Sequence, residues 1–196
     1  PKRAHVEVPP QIIPIATDPR FELTLGKPTV IMSGDGRQPY LFVSSQGTLF
    51  CQAQLSLPPF NSKPKQVYHT RIQSMLSRDG GATWTPWAHA PNQDPVFIEG
   101  GMVERADGTI VMLDTFIMPA EKRPGYGAGE IWQSKDDLRT VTGPHDAEFH
   151  LPHVAWSGST NDFGRPHASA RAHRSIVELP DGELLASIYT RFPGDT

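Results

Sequence analysis

Apolar residues along this chain come in short runs broken by glycine-containing turns, and no window sustains a 3.6-residue apolar period. Tyr40-Leu41-Phe42-Val43 leads through Gln46-Gly47 into Thr48-Leu49-Phe50. Gly101-Met102-Val103-Glu104 leads through Asp107-Gly108 into Thr109-Ile110-Val111-Met112-Leu113. Ser175-Ile176-Val177-Glu178-Leu179 leads through Asp181-Gly182 into Glu183-Leu184-Leu185-Ala186. An apolar run, a short Gly-containing turn and a second apolar run predict a β-hairpin, and the chain repeats that pattern. Little helix is expected.

A sharper turn signal lies between the first two hairpins, at Ser77-Arg78-Asp79-Gly80-Gly81-Ala82-Thr83-Trp84. Asp79 can accept hydrogen bonds from nearby backbone N–H groups, and Gly80-Gly81 supplies the positive φ angles of a tight turn. Thr83 and Trp84 restart an extended strand, the indole covering the turn. Ser134-Lys135-Asp136-Asp137-Leu138-Arg139-Thr140-Val141 keeps Ser, Asp and Thr in register and loses the glycines and the Trp. The predicted unit is an inner hairpin, a variable connector and an outer hairpin: four antiparallel strands.

The first octet has the form Ser-x-Asp-x-Gly-x-Thr-Trp and resembles the Asp-box of the sialidase-like (BNR repeat) β-propeller family. The resemblance implies an all-β fold of four-stranded antiparallel blades, about six in a complete ring. On that reading residues 1–27 lead in, 28–90 form blade one and 95–143 blade two, 144–172 are a long loop, and 173–196 begin blade three. The remaining blades are expected from sequence beyond this chain or from another chain.

Composition adjusts this picture little. Twenty Pro and 17 Gly in 196 residues suit many short strands with punctuated turns. The net charge of −3 lacks the basic excess of a phosphate-gripping nucleic-acid binder. No apolar run reaches the roughly 20 residues of a membrane span. The lone Cys51 cannot form an internal disulfide and reads as a small hydrophobe in a strand.

Candidate chemistry gathers in the segments expected at one face: 55–67, 88–98, 115–130, 142–173 and the stretch after Tyr189. Five of the eight histidines, His145, His150, His153, His167 and His173, fall in or beside the 142–173 connector with Arg165, Arg171 and Arg174. Arginine forks a carboxylate and histidine shuttles protons near neutral pH, so this cluster suits an acidic sugar. His150-Leu151-Pro152-His153 has a metal-ligand spacing, but Pro152 opposes a helical presentation, and neither a metal nor another cofactor is expected. Asp114 ends a predicted strand and Glu99 precedes one, and paired carboxylates serve glycoside hydrolysis. Tyr126 sits in Pro124-Gly125-Tyr126-Gly127-Ala128-Gly129, read as a flexible loop able to close over a ligand.

The resemblance extends to Arg174-Ser175-Ile176-Val177, Asp181-Gly182, Leu184-Leu185-Ala186 and Arg191, which are similar to an inner hairpin of sialidases, Ser-Ile standing for the family's Ile-Pro. It implies Arg174 as one of the carboxylate-binding arginines, and it brings Asp195 toward the family's acid/base aspartate. The expected activity is an exo-acting glycosidase, secreted or periplasmic, acting on a sialic acid or uronate glycan. Asp114, His167 and His173 are the candidate catalytic residues; Arg165, Arg171, Arg174, Arg191 and Tyr126 the candidate binding residues. Two alternatives stand beside it: a propeller lyase cleaving uronate glycans by β-elimination with His, Tyr and Arg, and a non-catalytic carbohydrate binder.

Overall fold

The computed structural model describes residues 11–14, 22–33, 35–56, 72–87, 98–120, 122–156 and 170–194. The chain divides into two compact units, Pro1–Ser33 and Gly34–Thr196. The first holds one antiparallel pair, β1 (Gln11–Pro14) and β2 (Glu22–Leu25), with Gln11 opposite Leu25.

The second unit is all-β and antiparallel. Strands β3 (Asp35–Val43), β4 (Leu49–Ser56), β5 (Ile72–Ser77) and β6 (Thr85–Pro86) form a four-stranded sheet in chain order. A 3-10 turn at Ile98–Gly100 leads into a seven-stranded sheet. Its strands are β7 (Gly101–Glu104), β8 (Ile110–Leu113), β9 (Phe116–Pro119), β10 (Tyr126–Ser134), β11 (Thr142–His150), β12 (Ala170–Glu178) and β13 (Leu184–Tyr189). Their path is β13-β12-β9-β10-β8-β7, with β11 on β10.

The predicted hairpins β3–β4, β7–β8 and β12–β13 are all present, and they share one register. Val43 faces Leu49, Glu104 faces Ile110, and Glu178 faces Leu184. In each turn one N–H reaches back across the loop: Gly47 to the Ser44 carbonyl, Gly108 to Arg105 and Gly182 to Leu179, at 2.9, 2.8 and 2.9 Å. The three glycines have φ of 82°, 80° and 85°, the left-handed conformation that closes such a loop.

Both octets form turns between outer strands, and their bonds correspond atom for atom. The Ser77 hydroxyl donates to Asp79 and accepts from the Gly81 N–H; the Thr83 N–H donates to Asp79 at 2.9 Å. The Ser134 hydroxyl donates to Asp136 and accepts from the Leu138 N–H; the Thr140 N–H donates to Asp136 at 2.8 Å. Trp84 caps the first turn with its indole N–H on the Gly81 carbonyl. Where the first turn uses Gly80 and Gly81 at φ 71° and 92°, the second holds Asp137 and Leu138 at 57° and 63°. A left-handed non-glycine residue costs roughly 1–2 kcal/mol. Leu138 is 1 % exposed, and full burial of a leucine returns about 1.5–3 kcal/mol, so packing wins there.

The main core lies between the two sheets. Tyr40, Phe50 and Leu76 of the first meet Met102, Ile110, Met112, Trp132 and Leu138 of the second. Phe50 packs edge-on against both Tyr40 and Trp87. Gln52, trapped here, uses both ends of its amide: the NH2 group donates to Ser74 and the oxygen accepts from the Ile98 N–H, each at 2.9 Å. The Tyr40 hydroxyl accepts from the Met102 N–H at 2.6 Å. Burial pushes that phenol's pKa up against the opposing pull of this bond. A second core, Leu113, Ile117, Ala170 and Ala172 with Phe149 and Trp156 packed against them, backs the far half of the larger sheet.

The structure departs from the sequence reading in three places. The connector expected over 142–173 is shorter, because β11 occupies Thr142–His150 and β12 already begins at Ala170. Strand β9 was not expected; it pairs with both β10 and β12. Tyr126–Gly129 is strand, not loop. Gly127 is there for space rather than suppleness, since a Cβ would stand 2.5 Å from Ile117 Cγ2 and 2.7 Å from Trp156 Cη2.

Candidate functional site

Strands β13, β12, β9, β10 and β11 turn one face to the second core. On each of them the alternate residues form the opposite face, as the two-residue period of a strand requires. That face carries Tyr189, Arg171 and His173, Phe116 and Met118, Tyr126, Ala128 and Glu130, then Asp146, Glu148 and His150. Cross-strand register joins them: Arg171 faces Tyr189 on one side and Phe116 on the other, Met118 faces Ala128, and Glu130 faces Asp146.

Asp114 stands at the head of this face, immediately after β8, and is 6 % exposed. Its carboxylate accepts from the Phe116 N–H at 2.8 Å, and its own N–H donates to the Glu130 carbonyl at 3.0 Å. Gly100 leaves the room for this segment: a Cβ there would lie 2.3 Å from the Leu113 carbonyl oxygen and 2.5 Å from that of Asp114. Thr115 is wholly buried and clamps the segment to β12. Its hydroxyl donates to the Ala172 carbonyl at 2.9 Å, and the Ala172 N–H returns a bond to the Thr115 carbonyl at 3.0 Å.

A cavity of about 330 Å³ opens on this face, lined by Asp114, Phe116, Met118, Ala128, Gly129, Glu130 and Asp146. Its lining combines apolar side chains with three carboxylates. The Arg171 guanidinium sits 5.2 Å from the Phe116 ring centroid, within cation–π range and beside the mouth. Next along β12, His173 meets Tyr189 edge-on, with ring centroids 5.5 Å apart.

The sequence candidates divide accordingly. Asp114, Arg171 and His173 are brought together here. Tyr126 shares the face at its far end, but its ring is engaged: His150 stacks on it at 4.8 Å and the Arg123 guanidinium lies 3.9 Å from its centroid. Arg123 also forms an ion pair with Glu148. Arg174 occupies a break in the β12–β13 register between Ala172 and Ile176, at φ 58°, so it departs from the alternation that aims Arg171 and His173. Arg191 follows β13, and its carbonyl accepts from the Ala155 N–H at 2.8 Å. Arg165, His167 and Asp195 lie outside the described residues, as does the Glu99 side chain. His145 and His150 are on β11, and among the described residues no group of three His, Cys, Asp or Glu is placed to hold a metal ion.

Phe116, Met118, Glu130 and Asp146 escaped the sequence reading. The alternation Tyr126-x-Ala128-x-Glu130 was a usable strand signal, masked by the neighbouring glycines. Comparison of the chain with protein-family models and with curated proteins gives no match.

Proposed function

We propose that this chain is part of a sialidase-like β-propeller that hydrolyses an acidic glycan from its end. Support for the architecture comes from the two turns with matching Ser-Asp-Thr bonding and the three hairpins in matching register. The observation that carries the activity is the cavity lined by Asp114, Glu130, Asp146 and Phe116, with Arg171 against the Phe116 ring. Glycoside hydrolysis uses two carboxyl groups flanking the scissile bond, one delivering a proton to the leaving oxygen. In this reading Asp114, the most enclosed, delivers it. Glu130 or Asp146 supplies the second carboxylate, and Phe116 takes the apolar face of a sugar ring. With three carboxylates in the lining, an acidic sugar needs a paired cation, and Arg171 fills that role. A glycan substrate fits a secreted or periplasmic protein.

A second reading has its own support. Arg171, His173 and Tyr189 adjoin one another, the set that β-elimination of a uronate uses to neutralise the carboxylate and remove the C5 proton.

The test is product mass after incubation with sialylated and uronate-containing oligosaccharides. Hydrolysis adds one water across the products, and D114N then lowers kcat by about 10²-fold or more while H173A does not. Products without added water, one of them an unsaturated uronate, replace hydrolysis with elimination, and H173A becomes the damaging change. Retained binding with no product of either kind leaves a carbohydrate-binding module.

A further inference from the structure

The five methionines of the chain differ in their access to solvent. Met102 and Met112 sit in the main core, 5 % and 0 % exposed. Met75 is 7 % exposed, and its sulfur accepts from the Gln73 amide at 3.5 Å. Met32, in the first unit, is partly buried. Met118 is open, at 43 %.

That exposure falls within the cavity. Strand β9 lies between β12 and β10, so Met118 does not stand at a sheet edge. It lines the cavity two residues along the strand from Phe116, and the two side chains form one apolar strip on that face. Its register partner is Ala128, too small to cover the thioether. The polar side chains of the lining are Asp114, Glu130 and Asp146, which when ionised only accept hydrogen bonds. A thioether suits such a wall, being polarizable, apolar and in no need of a donor. A sulfoxide does not. Its oxygen is a strong acceptor that finds no donor among those side chains, so it holds water where the thioether excludes it.

We propose that Met118 is a reversible oxidation site, with hydrogen peroxide as oxidant, and that its sulfoxide weakens the cavity's hold on sugar. The sulfur lone pair attacks one peroxide oxygen; the S–O bond forms as the O–O bond breaks, and the second oxygen leaves as water with both protons. Sulfur gives up two electrons and the peroxide takes them. Methionine sulfoxide reductases reverse the step and restore the apolar strip. The loss of sugar binding rests on the glycan reading of the cavity, whereas the place of oxidation does not.

The test is peptide mass mapping after the folded chain is treated with limiting hydrogen peroxide. At about pH 6 the Cys51 thiol, pushed up by burial, stays protonated and slow to react. One oxygen is expected at Met118, ahead of Met32, Met75, Met102 and Met112. The melting temperature should be unchanged, and KM for sialylated or uronate-containing oligosaccharides should rise about tenfold. Methionine sulfoxide reductases bring KM back. M118L takes up no oxygen at that position, and its KM, whatever its starting value, no longer rises with peroxide. Oxygen arriving at Met32 or at a core methionine as fast as at Met118 overturns the site. Met118 oxidised with KM unchanged overturns its effect on the cavity. A chain that turns over none of the oligosaccharides before treatment overturns the glycan reading and the loss of sugar binding with it, while the mass map still decides whether Met118 is the site.

Discussion

At the scale of single residues, the second turn solves with Asp137 and Leu138 what the first solves with two glycines. Leu138 carries opposed terms, a strained φ and a buried side chain, which separate by substitution. Leu138→Ala keeps the strain and opens a cavity, costing about 2–5 kcal/mol in urea unfolding. Leu138→Gly removes more of the side chain yet relieves φ, so it should be no worse than Ala, the reverse of the usual order in extended structure. A glycine variant clearly less stable than the alanine one would refute the strain assignment. The turn aspartates set a pH signature as well. Bonds from the Thr83 side chain and N–H and from Ser77 hold Asp79 down to about 2. For Asp136, burial pushes upward, but bonds from Thr140 and Ser134 outweigh it and leave the carboxyl below its ordinary value. Carboxyls depressed on folding contribute stability above their unfolded pKa, lost as pH falls through the folded one. Urea midpoints should therefore decline between about pH 5 and pH 2, and D79N and D136N should each flatten that decline while lowering the plateau above it.

At the scale of elements, side-chain clasps tie hairpins to their neighbours beside the strand ladders. Glu178 accepts from Ala106 and Arg105 with a side chain only 16 % exposed, while Arg105 is 36 % exposed, so solvent screening trims the worth of the pair. Glu178→Ala should cost about 1–2 kcal/mol, and amide exchange at Ala106 should accelerate while Gly108, bonded within its own turn, stays slow. Thr115→Val keeps the shape but strips the donor from the buried Ala172 carbonyl, costing about 1–3 kcal/mol; Thr115→Ser should recover most of it. The hairpins themselves were legible because each packs its signal into about a dozen adjacent residues, alternation on both sides of a Gly turn. Strand β9 was not legible. It has four residues, one a proline; only two of them pair with the neighbouring β10, and its other partner, Ala170–Arg171, is far along the chain. Nothing local announces such a pairing. The same remoteness hid the cavity: Asp114 drew notice as a strand-end carboxylate, whereas Glu130 and Asp146 become its neighbours only through β10–β11 register.

At the scale of the second unit, the two sheets share one core, and a buried charge crosses between them. Arg78 of the first octet donates to the Asp137 carboxylate and carbonyl of the second, and Thr48 adds a hydroxyl. Burial pushes the Asp137 carboxyl upward, and bonds from Ser44 and Thr48 with the Arg78 charge overcome it. Phe50 and Trp87 from the smaller sheet pack with Met102, Trp132 and Leu138 of the larger, so neither sheet keeps an intact core without the other. Phe50→Ala should cost about 3–5 kcal/mol and destabilise both sheets by the same amount. Hydrogen exchange in β4 and in β8 should report one common loss; a β8 left unaffected would mean the sheets open separately.

Strand β13 has a practical consequence for anyone handling the chain. Among the described residues it pairs only with β12, on one of its two edges. Its sequence, Leu184-Leu185-Ala186-Ser187-Ile188-Tyr189, has no charge and no proline, the profile of segments that stack into fibrils. Shelf life in concentrated stocks should thus be governed by this hexapeptide more than by melting temperature, and a lysine at Ser187, already exposed, is the gatekeeper that would lengthen it.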